Sequence, residues 1–142
     1  MKSGKMSRLY LAFCKGVFPK TSGRIDAPIK EQPDSALRII EVGGKPAVTR
    51  YRVISKAEYS ALLAVKLFTG RTHQIRVHLS HLGCPLWGDP LYGSPDQDLP
   101  RTALHAVSIS FHHPRLKRKI KVKSELPADL KMLATRLGII RY

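Results

Sequence analysis

Acidic side chains are scarce in this chain of 142 residues: 10 Asp and Glu face 25 Lys and Arg, a formal net charge of +15. No acid precedes Asp26. An imbalance of that size points to a polyanionic partner, with nucleic acid ahead of a membrane surface. The plainer alternative is a basic protein with a solvated surface. Cysteine is nearly absent too. Cys14 and Cys84 are too few for a disulfide framework and suit a reducing cytosol. No apolar run approaches the ~20 residues that span a bilayer, so no membrane partner is expected. Metal-binding patterns are missing as well. His78 and His81 are one turn apart, but His73 falls off their face, and neither Cys-x-x-Cys nor His-Glu-x-x-His occurs.

What is present is a globular composition: 43% hydrophobic and 25% charged residues, in a length suited to one domain with its own core. The acid-free N-terminus weakly resembles a mitochondrial transit peptide, yet residues 9–13 read better as a short buried strand. Strands are predicted at 24–29, 46–55 and 60–68, the last two joined as a hairpin through residues 56–59. Residues 30–44, with Pro33, Asp34, Gly43 and Gly44, read as a loop. A helix after Gly70 carries Ile75, Leu79 and Leu82 on one stripe, with Thr72 as its expected cap and Gly83 as its end. Residues 84–102 read as a long ordered loop.

Val107, Ile109 and Phe111 then alternate with polar residues. Ile120 and Val122 alternate with Lys119, Lys121 and Lys123, predicting a strand with one core face and one basic face. Pro127 opens a terminal helix through Leu130, Leu133 and Leu137. These elements predict an α+β fold, a largely antiparallel mixed sheet with few helices.

The chemistry concentrates between Thr69 and Gly93. An apolar strand runs into Thr69-Gly70-Arg71-Thr72, and a helix follows that opens with His73, Gln74 and Arg76. Backbone N–H groups gather at such a junction, where phosphate oxygens are welcome, and Arg71 and Arg76 add charge. The segment closes on Gly88-Asp89-Pro90-Leu91-Tyr92-Gly93. Trp87 and Tyr92 read as packing for this loop rather than as base-stacking platforms.

Thr69 to Arg76 and Gly88 to Gly93 resemble the third motif of the RluA-like pseudouridine synthases and the loop after it. The resemblance extends to Arg8-Leu9-Tyr10-Leu11-Ala12, Gly44-Lys45-Pro46-Ala47-Val48-Thr49, Leu104-His105-Ala106, Phe111-His112-His113-Pro114 and Leu126-Pro127-Ala128-Asp129-Leu130. Their occurrence in family order makes coincidence improbable. The resemblance implies uridine isomerisation in structured ribosomal or transfer RNA, without cofactor or metal. It makes Tyr10 the active-site tyrosine that stacks on the uracil, and Arg76 the arginine paired with the catalytic aspartate. Arg71, His73 and Gln74 would line the cleft or touch RNA, with Lys119, Lys121 and Lys123 as further phosphate contacts.

The family's nucleophile lies in a His-Arg-Leu-Asp motif, and no such motif occurs here. Residues 1–142 therefore resemble the C-terminal portion of a catalytic domain, a partial pseudouridine synthase fold, predicted to be inactive by itself. Arg76 is expected to lack a carboxylate partner, and exposed sheet edges are expected to promote self-association. The competing reading is a non-catalytic basic RNA-binding module. A structural protein of a ribonucleoprotein particle is weaker.

Overall fold

The computed structural model describes residues 6–139. Its centre is a six-stranded sheet in the order β2-β5-β6-β1-β7-β8, every neighbouring pair antiparallel. The strands are β1 (Met6–Lys15), β2 (Ser22–Asp26), β5 (Val48–Ala57), β6 (Ser60–Leu67), β7 (Leu104–His112) and β8 (Lys119–Lys123). The expected 24–29 strand ends at Asp26. Residues 30–44 are not all loop: β3 (Ile29–Glu31) and β4 (Arg38–Ile40) pair as a small separate hairpin. The turn residues there end strands rather than exclude them.

Side-chain alternation sorts the core onto two faces. Ala12, Cys14, Leu63 and Val65 pack with Ile75 and Leu79 of α1 (Gln74–His81). Phe13 and Leu62, the intervening residues, pack with Leu130, Leu133 and Ala134 of α2 (Ala128–Arg136). One helix therefore covers each face. Against its second side α1 meets the small hairpin, where Val77 packs with Ile29, Ala47, Ile40 and Tyr92. Helix α1 is thus buried nearly all round, which the Ile75/Leu79/Leu82 stripe alone does not show.

A bulge interrupts the β1–β7 ladder. Leu9 opposes Ser108 and Tyr10 opposes Ala106, which leaves Val107 as the extra residue. Bulges re-aim side chains next to functional sites. Beyond it the register places Arg8, Ile109 and Val122 on the face of Tyr10, together with Met6, Phe111 and Ile120. Leu9, Ser108 and Lys123, with Ser110 and Lys121, lie on the opposite face. The expected core face of β8 is uncovered: Val122 is 52% exposed and Met6 42%. Alternation predicted which side is apolar, but nothing among the described residues packs over it.

Candidate nucleic-acid site

The junction between β6 and α1 is assembled around Gln74, which is 2% exposed. Its amide donates to the Val48 carbonyl (3.0 Å) and to Thr49 Oγ1 (3.0 Å). Its carbonyl oxygen accepts from the Thr69 hydroxyl (2.7 Å) and the Arg71 N–H (3.0 Å). All four hydrogen-bonding positions of the side chain are therefore used internally. The expected cleft residue Gln74 does line the site, but its amide has nothing left for RNA; it pins the turn to β5.

Thr72 does not cap α1. His73 takes the N-cap position in a left-handed conformation (φ 56°), with no side-chain cap. A β-region residue accepting through its own side chain is the usual N-cap. Here the Gln74 side chain holds the turn instead, which a search for Ser, Thr, Asp or Asn before the helix misses. Left-handed backbone is uncommon outside glycine, and such strain clusters at functional sites.

Arg76 is not the unpaired cation expected from the missing motif. Its Nε and Nη2 donate to the two carboxylate oxygens of Asp89 at 2.8 and 2.7 Å, a bidentate pair. Asp89 Oδ1 also accepts the N–H groups of Leu91 (3.0 Å) and Tyr92 (3.1 Å). Burial alone raises the Asp89 pKa, but these donors outweigh it and hold the carboxyl below its ordinary range. Asp89 raises the Arg76 pKa in turn, chiefly through the hydrogen bond. The loop is built for this: Gly88 sits at φ +67°, and a Cβ there would lie 2.4 Å from the Arg101 carbonyl oxygen. The Gly-Asp-Pro signal was visible in the sequence; its pairing across 13 positions to Arg76 was not.

Tyr92 joins these parts and does more than pack its loop. Its ring lies 5.1 Å from the Arg76 guanidinium carbon, a cation–π contact. Its hydroxyl accepts the Arg38 N–H at 2.7 Å and lies 3.1 Å from His73 Nδ1. Burial, followed by the nearby Arg76 and Arg38 charges, lowers the His73 pKa despite an opposing effect of Asp89.

His78 is fully buried; its Nε2 lies 3.0 Å from the Ala27 carbonyl and its Nδ1 2.8 Å from Thr49 Oγ1. Burial lowers its pKa. Among the described residues no group of three or more His, Cys, Asp or Glu is placed to hold a metal ion. No helix described is long and apolar enough to cross a membrane. Cys14 and Cys84 are both free and buried.

The result is a depression of about 260 Å³ lined by Tyr10, Arg71, His73, Gln74, Arg76 and apolar neighbours including Leu67 and Leu104. Five of the residues singled out by sequence thus meet in one place. Lys119, Lys121 and Lys123 do not join them: register puts these three on the opposite face, where Lys121 and Lys123 border a groove with Leu9, Ser108 and Glu125. Period-two alternation predicted a basic face but could not say which side of the sheet it took.

The depression combines an aromatic ring, a guanidinium locked in orientation, and apolar walls. It can hold a flat base against Tyr10 and set fixed positive charge beside an anion. Asp89 cannot serve as its nucleophile, because it is 0% exposed and saturated with donors.

A family model described as RNA pseudouridylate synthase matches residues 1–81. The RNA pseudouridine synthase YjbO of Bacillus subtilis, whose name marks it as uncharacterized, is 41% identical over 133 residues, 93% of this chain and 47% of that protein. Ribosomal large subunit pseudouridine synthase D of Nitrosomonas europaea is 46% identical over 138 residues, covering 90% of this chain and 40% of its own length. Among solved structures, human RNA Pseudouridylate Synthase Domain Containing 4 superposes with a TM-score of 0.77 at 25% identity, over 96% of this chain and 64% of that one. The chain spans under half the length of the two curated relatives. It belongs to the RNA pseudouridylate synthase family.

Proposed function

We propose that this chain supplies the base-holding and RNA-binding part of a pseudouridine synthase, acting on structured ribosomal or transfer RNA. The observation that carries the reading is the shared depression of Tyr10 and Arg76, with the guanidinium clamped by Asp89. Isomerisation breaks the C–N glycosidic bond, turns the base, joins C5 to the sugar and releases the C5 proton, while the freed N1 takes a proton up. A carboxylate can attack the nucleoside or stabilise a cationic sugar, and the target base must leave the stack to be reached. In this reading Tyr10 stacks on that base, Arg76 faces the carboxylate, and Arg71 and His73 contact the strand. No Asp or Glu lines the depression among the described residues, so residues 1–142 act as the C-terminal portion of the catalytic domain and are inactive by themselves.

Lys119, Lys121 and Lys123 then form a second, separate phosphate contact on the far face of the sheet. The free thiols suit a cytosolic setting. The same saturation of Asp89 supports the second reading, a basic RNA-binding module without chemistry. Both readings require that RNA bind through the depression. Stacking of one base is worth ~1–3 kcal/mol by alanine substitution. Fluorescence anisotropy with a short uridine-containing RNA should therefore show Tyr10→Ala weakening binding several-fold or more. Arg71→Ala should lower the slope of log affinity against log salt by about 0.7. Unchanged binding in both variants contradicts the proposal.

A further inference from the structure

Arg71 belongs to two concavities. The second, about 340 Å³, lies among the β3–β4 hairpin, the turn at 43–45 and the turn at 70–72. Its charged lining is Lys30, Glu31, Arg38, Lys45 and Arg71. Lys30 pairs with Glu41, and Arg38 Nε stands 3.9 Å from Glu31 with no hydrogen-bond partner although it is buried. Lys45 and Arg71 have no acidic partner among the described residues; Arg71 Nε is held by the Pro46 carbonyl at 3.0 Å. The cavity thus carries two positive charges that the protein leaves unneutralised.

Its walls are also open. A Cβ at Gly43 or Gly70 would meet nothing within 4 Å. The Gly70 and Thr72 N–H groups donate to no protein acceptor among the described residues. Uncommitted amides beside unpaired cations make an anion site.

We propose that this cavity binds a backbone phosphodiester of RNA, that of a nucleotide flanking the one whose base occupies the Tyr10–Arg76 depression. Arg71, common to both, connects them. The inference rests on the proposed function and deepens it: the β3–β4 hairpin becomes part of the RNA track. A single phosphate fits the charge better than a base, because the polar lining lacks an aromatic platform and Arg71 bridges toward the base-holding ring.

The test uses the full chain and a short labelled RNA with one central uridine, read by anisotropy. Lys45→Glu and Gly70→Glu each place a carboxylate at the cavity without displacing a buried group. Both should weaken binding about tenfold and lower the salt slope by about 0.7. Replacing the flanking phosphodiester by a neutral methylphosphonate should weaken binding to the unmodified protein and erase its advantage over both variants. The inference is overturned if the variants bind as the parent does, or lose affinity equally for charged and neutral linkages. Loss with Tyr10→Ala but not with Lys45→Glu overturns this inference and leaves the proposed function standing. The reverse pattern leaves the phosphate cavity and overturns the base site.

Discussion

The α1 corner and the β7–β8 hairpin are built from equally regular elements and finished differently. At the corner three buried polar side chains are fully partnered: Gln74 makes four hydrogen bonds, Asp89 accepts four, and His78 uses both nitrogens. At the hairpin Ile109, Phe111 and Ile120 are only half-buried, with Val122 and Met6 exposed beside them. Rigidity belongs where charge must be held in place, and the corner has it. The hairpin offers an apolar face that the rest of the described chain does not cover.

The largest effect expected from breaking the corner comes from Asp89→Asn. Removing one partner of a buried pair costs ~3–5 kcal/mol, which should lower the thermal midpoint by roughly 10 °C for a domain of this size. RNA affinity should fall as well, since Arg76 loses its orientation. A midpoint within a degree or two of the parent's contradicts the clamp.

Next comes Leu63→Ala, at a fully buried position in β6, with an expected loss of ~2–5 kcal/mol in a denaturant titration. Val122→Thr on the hairpin should change stability by less than about 0.5 kcal/mol. It should instead reduce any concentration-dependent association seen by sedimentation velocity. Equal stability losses at Leu63 and Val122 erase the contrast between the two regions.

A smaller effect concerns protons. His78 is neutral in the fold, and its pKa is lowered by burial. Below about pH 6.5, the ordinary histidine value, the unfolded chain takes up a proton that the folded chain refuses. Stability is therefore complete above that pH and declines as pH falls through the window beneath it. Asp89, with its lowered pKa, adds a second decline below about pH 4. His78→Gln should make the upper decline shallower, His73 with its own lowered pKa keeping the remainder, and leave the lower one, in thermal scans from pH 8 to pH 3. A His78→Gln profile parallel to the parent's excludes His78 as its cause.

Much of this was legible in residue patterns. Alternation predicted β7 and β8 and the separation of lysine from apolar residues onto opposite faces, and Gly, Pro and Asp marked the loop that carries Asp89. Three things were not legible. The β3–β4 hairpin is too short, at three residues a strand, for a period of two to register against its turn formers. The turn into α1 is held by a buried glutamine, a residue type that marks no helix start. The partner of Arg76 is set by how the 84–102 segment leaves the end of β1 and returns against α1, and pairing of that kind leaves no local trace. The expectation of an orphan arginine followed from the absent aspartate motif, whereas the fold supplies a different carboxylate to hold the guanidinium in place.

The central claim is that this corner holds a uridine without owning a nucleophile that can reach it. The direct measurement is tritium release from RNA labelled at uridine C5, incubated with the purified chain at concentrations where anisotropy shows the RNA bound. Binding without tritium release is the expected result. Sustained release by residues 1–142 alone, abolished by Asp89→Asn in a variant still folded, would mean that a carboxylate read here as a buried clamp performs the chemistry.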